Sequence, residues 1–274
     1  MAHQTTRVMG IVNVTPDSFS DGGRHDTREA ALAHALRLIE QGADVLDIGG
    51  ESTRPGSDPV SEDEEIARTL PLIAAIRARW DGMISIDTMK PGVARAAIQA
   101  GATMWNDVTA LMHDPDSLTT AAELGCEVVL MHMKGAPKTM QDDPRYDDVV
   151  AEVVAHLSAR AEAAMQTGVA REKIWLDPGI GFAKTTDHNL ALTARLEALV
   201  DLGFPVLYAA SRKRMIQGVD ASAVQASDRL GGSLALALEG ARRGARMVRV
   251  HDVRETVQAL KLQAAVRARA RPAS

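Results

Sequence analysis

Asp87, Asn106 and Asp177 each stand at the end of a short apolar run, after Met83–Ile86, Ala102–Trp105 and Ile174–Leu176. In a partly dry pocket, Asp and Asn so placed can accept paired N–H groups from the edge of a flat heterocycle. A second set is cationic. Arg54 lies in Asp47-Ile-Gly-Gly-Glu-Ser-Thr-Arg-Pro-Gly56, Lys213 in Ser211-Arg-Lys213, and Arg249 and His251 in Arg249-Val-His251. Arginine offers phosphate a planar, permanently charged fork, and Thr53 beside Arg54 adds a hydroxyl donor. The whole chain carries a formal net charge of −5, so cations gathered at one place point to an anion site, not to a general nucleic-acid surface. Plainer readings exist for each residue: a helix-capping Asp, a solvated loop Arg, a turn-rich connector from Asn13 to Gly23. Singly these stay open. Three strand-end residues all serving as caps would be the greater coincidence.

Residues so scattered need a scaffold that brings strand ends together. Eight apolar runs read as strands: Val8–Val12, Val45–Ile48, Met83–Ile86, Ala102–Trp105, Val128–Met131, Ile174–Leu176, Pro205–Ala209 and Met247–Val250. Helical stretches separate most of them. Ser61 with Glu64 makes a capping box before Ile66, Leu70, Ile73 and Ile76, and Asp26 with Glu29 resembles the same device. Helices are also expected over Arg145–Thr167, Asp187–Val200, Val224–Arg243 and Asp252–Arg269. Gly42, Gly101, Gly125, Gly203 and Gly244 each sit between a helix and a strand, where a left-handed residue ends the helix. This order predicts an α/β fold, a single (β/α)8 TIM barrel over residues 1–274, with its active site at the C-terminal ends of the strands. An open doubly wound sheet is the alternative. Candidate residues on both the first and the last strand favour closure.

The length of 274 residues is close to the ~250 of one such barrel. Apolar residues make up 46% of the chain and aromatics 3%, a composition suited to helices packed closely on a parallel sheet. The single cysteine, Cys126, excludes an internal disulfide and fits a reducing cytoplasm; it reads as a core residue. No apolar stretch follows a basic start, so no signal peptide is expected, and no apolar run reaches membrane-spanning length. His113, His132, His156 and His188 lack tight ligand spacing, and neither H-E-x-x-H nor a Walker A loop occurs. Gly179-x-Gly181 lacks the third glycine of a nicotinamide fingerprint. Arg267–Arg271 reads as the solvated end of the last helix.

The chain also resembles the dihydropteroate synthases, a family of pterin-binding TIM barrels. The resemblance lies in eight blocks, in order: Met9–Gly23, Asp47–Gly56, Ser85–Thr88, Asn106–Val108, Leu130–Met133, Asp177–Phe182, Ser211–Lys213 and Arg249–Asp252. It implies a cytoplasmic transferase of folate biosynthesis, a sulfonamide target, using Mg2+ and usually homodimeric. The implied reaction joins p-aminobenzoate to 7,8-dihydropterin-6-ylmethyl diphosphate, giving 7,8-dihydropteroate and pyrophosphate. By resemblance, Asp87, Asn106, Met131, Asp177 and Lys213 line a pterin pocket, with Asp87, Asp177 and Lys213 catalytic. Asn13, Thr53, Arg54, Arg249 and His251 hold the diphosphate, Asn13 also meeting the metal. Thr53, Pro55, Phe182, Ser211 and Lys213 shape the p-aminobenzoate site. Two departures stand out: Ala209-Ala210 before Ser211, and Gly181-Phe182-Ala183-Lys184, each placing alanine where the family often has glycine. Two rivals remain, a methyltetrahydrofolate-dependent methyltransferase and a noncatalytic pterin-binding paralogue. The first leaves the cationic set unexplained; the second should show damaged loop blocks. For self-association the seventh and eighth helices of the barrel are the expected surface.

Overall fold

The computed structural model describes residues 5–14, 24–52, 59–135 and 144–269. Its strands are β1 (Arg7–Asn13), β2 (Val45–Gly49), β3 (Met83–Asp87), β4 (Met104–Asp107), β5 (Glu127–Met131), β6 (Ile174–Asp177), β7 (Leu207–Tyr208) and β8 (Met247–Val250). The helices are α1 (Arg24–Glu40), α2 (Glu62–Arg77), α3 (Pro91–Gln99), α4 (Ser117–Leu124), α5 (Val149–Thr167), α6 (Thr186–Ala194), α7 (Glu197–Val200), α8 (Met215–Val219), α9 (Leu230–Arg242) and α10 (Val253–Arg269). All strand pairs are parallel, in the order β6-β5-β4-β3-β2-β1-β8-β7. A parallel bridge between Leu176 and Val206 joins the two ends. The expected barrel is therefore the fold.

Strand alternation sorts its side chains into two cores. Met9, Val45, Met83, Met104, Val129, Trp175, Leu207 and Met247, one from each strand, pack together in the barrel. Their neighbours, such as Val8, Leu46, Ile84, Trp105, Val128, Ile174 and Val248, join a larger core with the helices. Two residues further along, on the inward side, come Ile11, Asp47, Ser85, Asn106, Met131, Asp177 and Arg249. The barrel is thus apolar at one level and polar at the next, nearer the strand C-termini. That step places the site.

Some boundaries differ from expectation. Pro205–Ala209 yields only Leu207–Tyr208 as ladder, and the fourth strand lies two residues later than its apolar run. Asp187–Val200 splits at Arg195, whose backbone leaves helical geometry (φ −122°). The helix expected from Val224 begins at Leu230 after a 3-10 turn at Ala226–Arg229. Asp26 lies inside α1 and does not precede it. Ser61 does cap α2, accepting from the Glu64 N–H. All five glycines expected at helix ends adopt positive φ.

Candidate active site

The polar level of the barrel is organised by Asp47. Its side chain is fully buried, and one oxygen, Oδ2, accepts from Arg249 Nε (2.6 Å) and from Asn106 Nδ2 (3.2 Å). Arg249 Nη2 reaches on to Asp87 Oδ2 at 2.7 Å. Residues of β2, β3, β4 and β8 are so tied into one network. Burial raises the Asp87 carboxyl above the ordinary carboxylate range, against the pull of Arg249 and with help from Asp47, Glu65 and Asp107. Burial acts the other way on Arg249, yet Asp47 and Asp87 outweigh it and hold the guanidinium above the usual arginine value. Asp47 Oδ1 and Asp87 Oδ1 are buried and, among the described residues, accept no hydrogen bond. An orphaned buried acceptor calls for a donor. At Asp87, a ligand N–H can supply it.

Asp177 closes β6 beside Met131, its register partner on β5. One oxygen accepts the Gly179 N–H at 2.7 Å and so fixes a local turn; the next helix, α6, is capped by Thr185 and not by Asp177. Burial pushes its carboxyl up to about 6 against that bond and against Lys213, Arg249 and Lys184. Gly179 is pressed onto the end of β5: it has φ +68°, and a Cβ there would lie 1.9 Å from the His132 carbonyl oxygen. Beyond it, Lys213 Nζ sits 4.3 Å from the centre of the Phe182 ring. Two of the residues expected for the aryl amine, Phe182 and Lys213, are thereby in contact across the loops after β6 and β7.

Ser211 and His251 face each other. The His251 backbone N–H donates to Ser211 Oγ (3.2 Å), and Oγ lies 3.0 Å from His251 Nδ1. If Oγ donates its proton to Nδ1, the ring is left with an Nε2–H donor. Burial, then Arg249 and Arg212, lowers His251 to about 3. The imidazole is therefore a neutral donor near neutral pH, which corrects its place among the expected cations. Arg212 fastens the same corner by a two-pronged pair with Asp252 (3.0 and 2.5 Å).

Asn13 ends β1 opposite Gly49. A Cβ at Gly49 would lie 3.6 Å from Asn13 Oδ1 and 3.7 Å from Asp87 Cβ, so glycine keeps the space between these side chains open. Thr53, Arg54 and Pro55 lie outside the described residues, as does the first loop from Thr15 to Gly23. Glu51, at the root of the second loop, pairs with Lys90, which also bonds the buried Glu65 at 2.5 Å. No group of three or more His, Cys, Asp or Glu able to hold a metal occurs among the described residues.

This geometry can be set beside known proteins. The profile of the family described as pterin binding enzyme matches residues 9–251. Dihydropteroate synthase of Escherichia coli K12 is 49% identical over 255 residues, covering 93% of this chain and 89% of its own. The chain belongs to the dihydropteroate synthase family. Among solved structures, the Xanthomonas albilineans dihydropteroate synthase with 4-aminobenzoic acid superposes with a TM-score of 0.92 at 51% identity, over 98% of this chain and 95% of that one. The same organism's enzyme in complex with 7,8-dihydropteroate gives 0.88 at 48% identity, over 98% and 96%.

Within this dihydropteroate synthase family member, the two alanine departures are unequal. Ala183 is buried and held at φ +51°, a left-handed conformation that glycine takes freely; Ala209 and Ala210 have no positive φ. Lys184 and Asn189 went unsingled in the sequence although both grip the loop carrying Phe182. Lys90 and Glu65 were equally silent, because their pairing is tertiary. For Asp47 the signal was present, an acid two residues before Gly49 on an inward face.

Proposed function

We propose that this chain condenses p-aminobenzoate with 7,8-dihydropterin-6-ylmethyl diphosphate, and that the polar level of the barrel is where it does so. The observation that carries this assignment is the Asp47-centred network, which puts Asp87, Asn106 and Arg249 beside one another with Asp177 across the barrel. Asp87, Asn106 and Asp177 would take the N–H edge of the pterin, with Met131 against its face and Lys213 beside it. Arg249, with Thr53, Arg54 and the Nε2–H of His251, would hold the diphosphate. Phe182, Ser211, Lys213, Thr53 and Pro55 would bound the aryl amine. The relatives crystallised with 4-aminobenzoic acid and with 7,8-dihydropteroate support the pairing of substrates.

In the reaction the aryl amine nitrogen forms a bond to the pterin methylene carbon as the carbon–oxygen bond to diphosphate breaks. The electron pair leaves with the diphosphate, and the amine's proton goes to solvent. The amine is neutral near pH 7 and needs positioning more than deprotonation, so no dedicated base is assigned. Positive charge on the methylene would be supported by the ionised Asp87 and Asp177. Asn13 suits a part in holding Mg2+. Its amide oxygen is a hard donor beside space that a Cβ at Gly49 would take, and Mg2+ needs few protein oxygens when phosphate and water complete its shell. Bound there, Mg2+ would supply charge neutralisation to the diphosphate.

Self-association fits α9 and α10, which expose Leu230, Leu262 and Val266. No helix among the described residues is long and apolar enough to cross a membrane, and a cytoplasmic location agrees with the lone, buried Cys126. Incubation with Mg2+, the pterin diphosphate and p-aminobenzoate tests the activity. Equal amounts of pyrophosphate and dihydropteroate are expected. Methyl transfer from methyltetrahydrofolate, or pterin binding without product, would replace this assignment by one of its rivals.

A further inference from the structure

Lys184 is a buried lysine that, among the described residues, has no carboxylate in hydrogen-bond contact. Its Nζ instead meets the carbonyl oxygens of Phe182 (2.9 Å), Gly179 (3.0 Å) and His132 (3.3 Å), and His132 Nδ1 at 2.9 Å. Burial lowers the Lys184 amine to about 7 against the pull of Asp177, and charged or neutral its N–H groups are directed at the loop after β6 and at the end of β5. His132 can accept because burial, with Lys184 nearby, keeps its ring neutral. Two further bonds fix the same loop from outside. Asn189 on α6 accepts the Gly181 N–H at 2.8 Å, and Tyr146 donates its hydroxyl to the Ala183 carbonyl at 2.9 Å. The backbone between these points is held at Ala183 in a left-handed conformation, which persists only where surrounding bonds over-determine it.

One side chain rides on this loop at its apex. Phe182 is partly exposed and lies under Lys213. Asp177, by contrast, belongs to the strand ladder: its carbonyl accepts the His132 N–H at 3.0 Å and it pairs in register with Met131. Loss of the Lys184 contacts should therefore move Phe182 far more than Asp177.

We propose that Lys184 is a positioning residue for the aryl-amine substrate, setting the Phe182 ring from behind by gathering the carbonyls of His132, Gly179 and Phe182, with Tyr146 as its outer support. This rests on the assignment of Phe182 to the aryl-amine site made above. Asp177, the pterin-site acid nearest this loop, is held by the strand ladder as well as by the Gly179 N–H.

The test is steady-state kinetics of Lys184→Met, Tyr146→Phe and Phe182→Ala at about pH 8, where Asp177 is ionised. Lys184→Met is expected to raise KM for p-aminobenzoate about tenfold or more, a loss of about 1.4 kcal/mol, with KM for the pterin diphosphate changed less than about twofold. Tyr146→Phe should shift the same constant in the same direction by a smaller factor. Should Lys184→Met fail to fold, Tyr146→Phe decides by the same split. An unchanged p-aminobenzoate KM in the folded variants, or equal changes in both substrates, overturns the proposal provided Phe182→Ala does raise that KM. If Phe182→Ala leaves it unchanged, the placement of the aryl amine is wrong, and this inference falls with it.

Discussion

Arg249 and Asp47 are 202 residues apart in the chain and 2.6 Å apart at Nε and Oδ2. Asp47 is fully buried and also accepts from Asn106, so one oxygen aligns a guanidinium and a carboxamide. Removing Asp47 leaves Arg249 with Asp87 as its carboxylate partner but strips Arg249 Nε and Asn106 Nδ2 of their acceptor, and breaking one side of a buried pair costs up to about 3–5 kcal/mol. Asp47→Ala should lose stability of that order in urea denaturation, and Asp47→Asn, which retains an acceptor oxygen, distinctly less. A loss below about 1 kcal/mol in Asp47→Ala would mean that the network organises nothing.

Arg249 pairs with two carboxylates and, in the proposed function, also holds the diphosphate. Arg249→Ala should therefore weaken every pterin ligand, because Asp87 loses its partner. The diphosphate-bearing substrate should lose about 1.5–3 kcal/mol more than bare pterin, the scale of a charge-assisted hydrogen bond. Titration calorimetry with the two ligands measures the difference; equal losses would remove the phosphate role.

The acids at the pocket floor set a pH dependence. Burial pushes Asp177 up to about 6 and raises Asp87 as well. In the proposed pterin site both would accept N–H groups as carboxylates, so affinity should fall with decreasing pH, approaching about tenfold per unit for each group below its own value. Folding stability runs the opposite way. A carboxyl raised in the native state binds its proton there before the unfolded chain does. Its contribution is complete below the ordinary value of about 4 and is lost as pH rises through about 6. His132 and His251, lowered to about 3, act with the reverse sign. Comparison with Asp177→Asn cancels them. Wild type should gain stability relative to that variant as pH falls from about 7 to about 4. A difference that does not vary with pH would contradict the burial of this carboxyl.

Much of the fold was open to reading from the residues. Parallel strands covered on both sides are continuous apolar runs, so all eight could be found, and polar residues at their C-terminal ends marked the mouth. Short helices were not legible: α3 starts at Pro91 with no side-chain cap, and α4 spans only Ser117–Leu124, too few turns for a periodic face. Arg195 gave no sign of breaking its helix, since its pairing with Asp148 is a tertiary contact. In the site, residues acting through a reactive group were harder to find than the reactive groups. The acceptors of Lys184 are backbone carbonyls, which no residue type announces.

Ala183 offers a stability check free of chemistry. A left-handed alanine costs about 1–2 kcal/mol, and glycine gives back about 0.5–1 through its freer unfolded chain. Ala183→Gly should accordingly raise stability by up to about 1 kcal/mol, seen as a higher Tm. A lower Tm would argue that the methyl group's burial outweighs the backbone strain.

The central claim is that buried acids at one level of the barrel form the pterin site. Calorimetric titration of the pterin diphosphate against Asp177→Asn tests it most directly, because asparagine can still accept the Gly179 N–H and keep the turn. Loss of measurable pterin binding in a variant that folds like wild type is the predicted result; affinity equal to that of wild type would contradict the assignment.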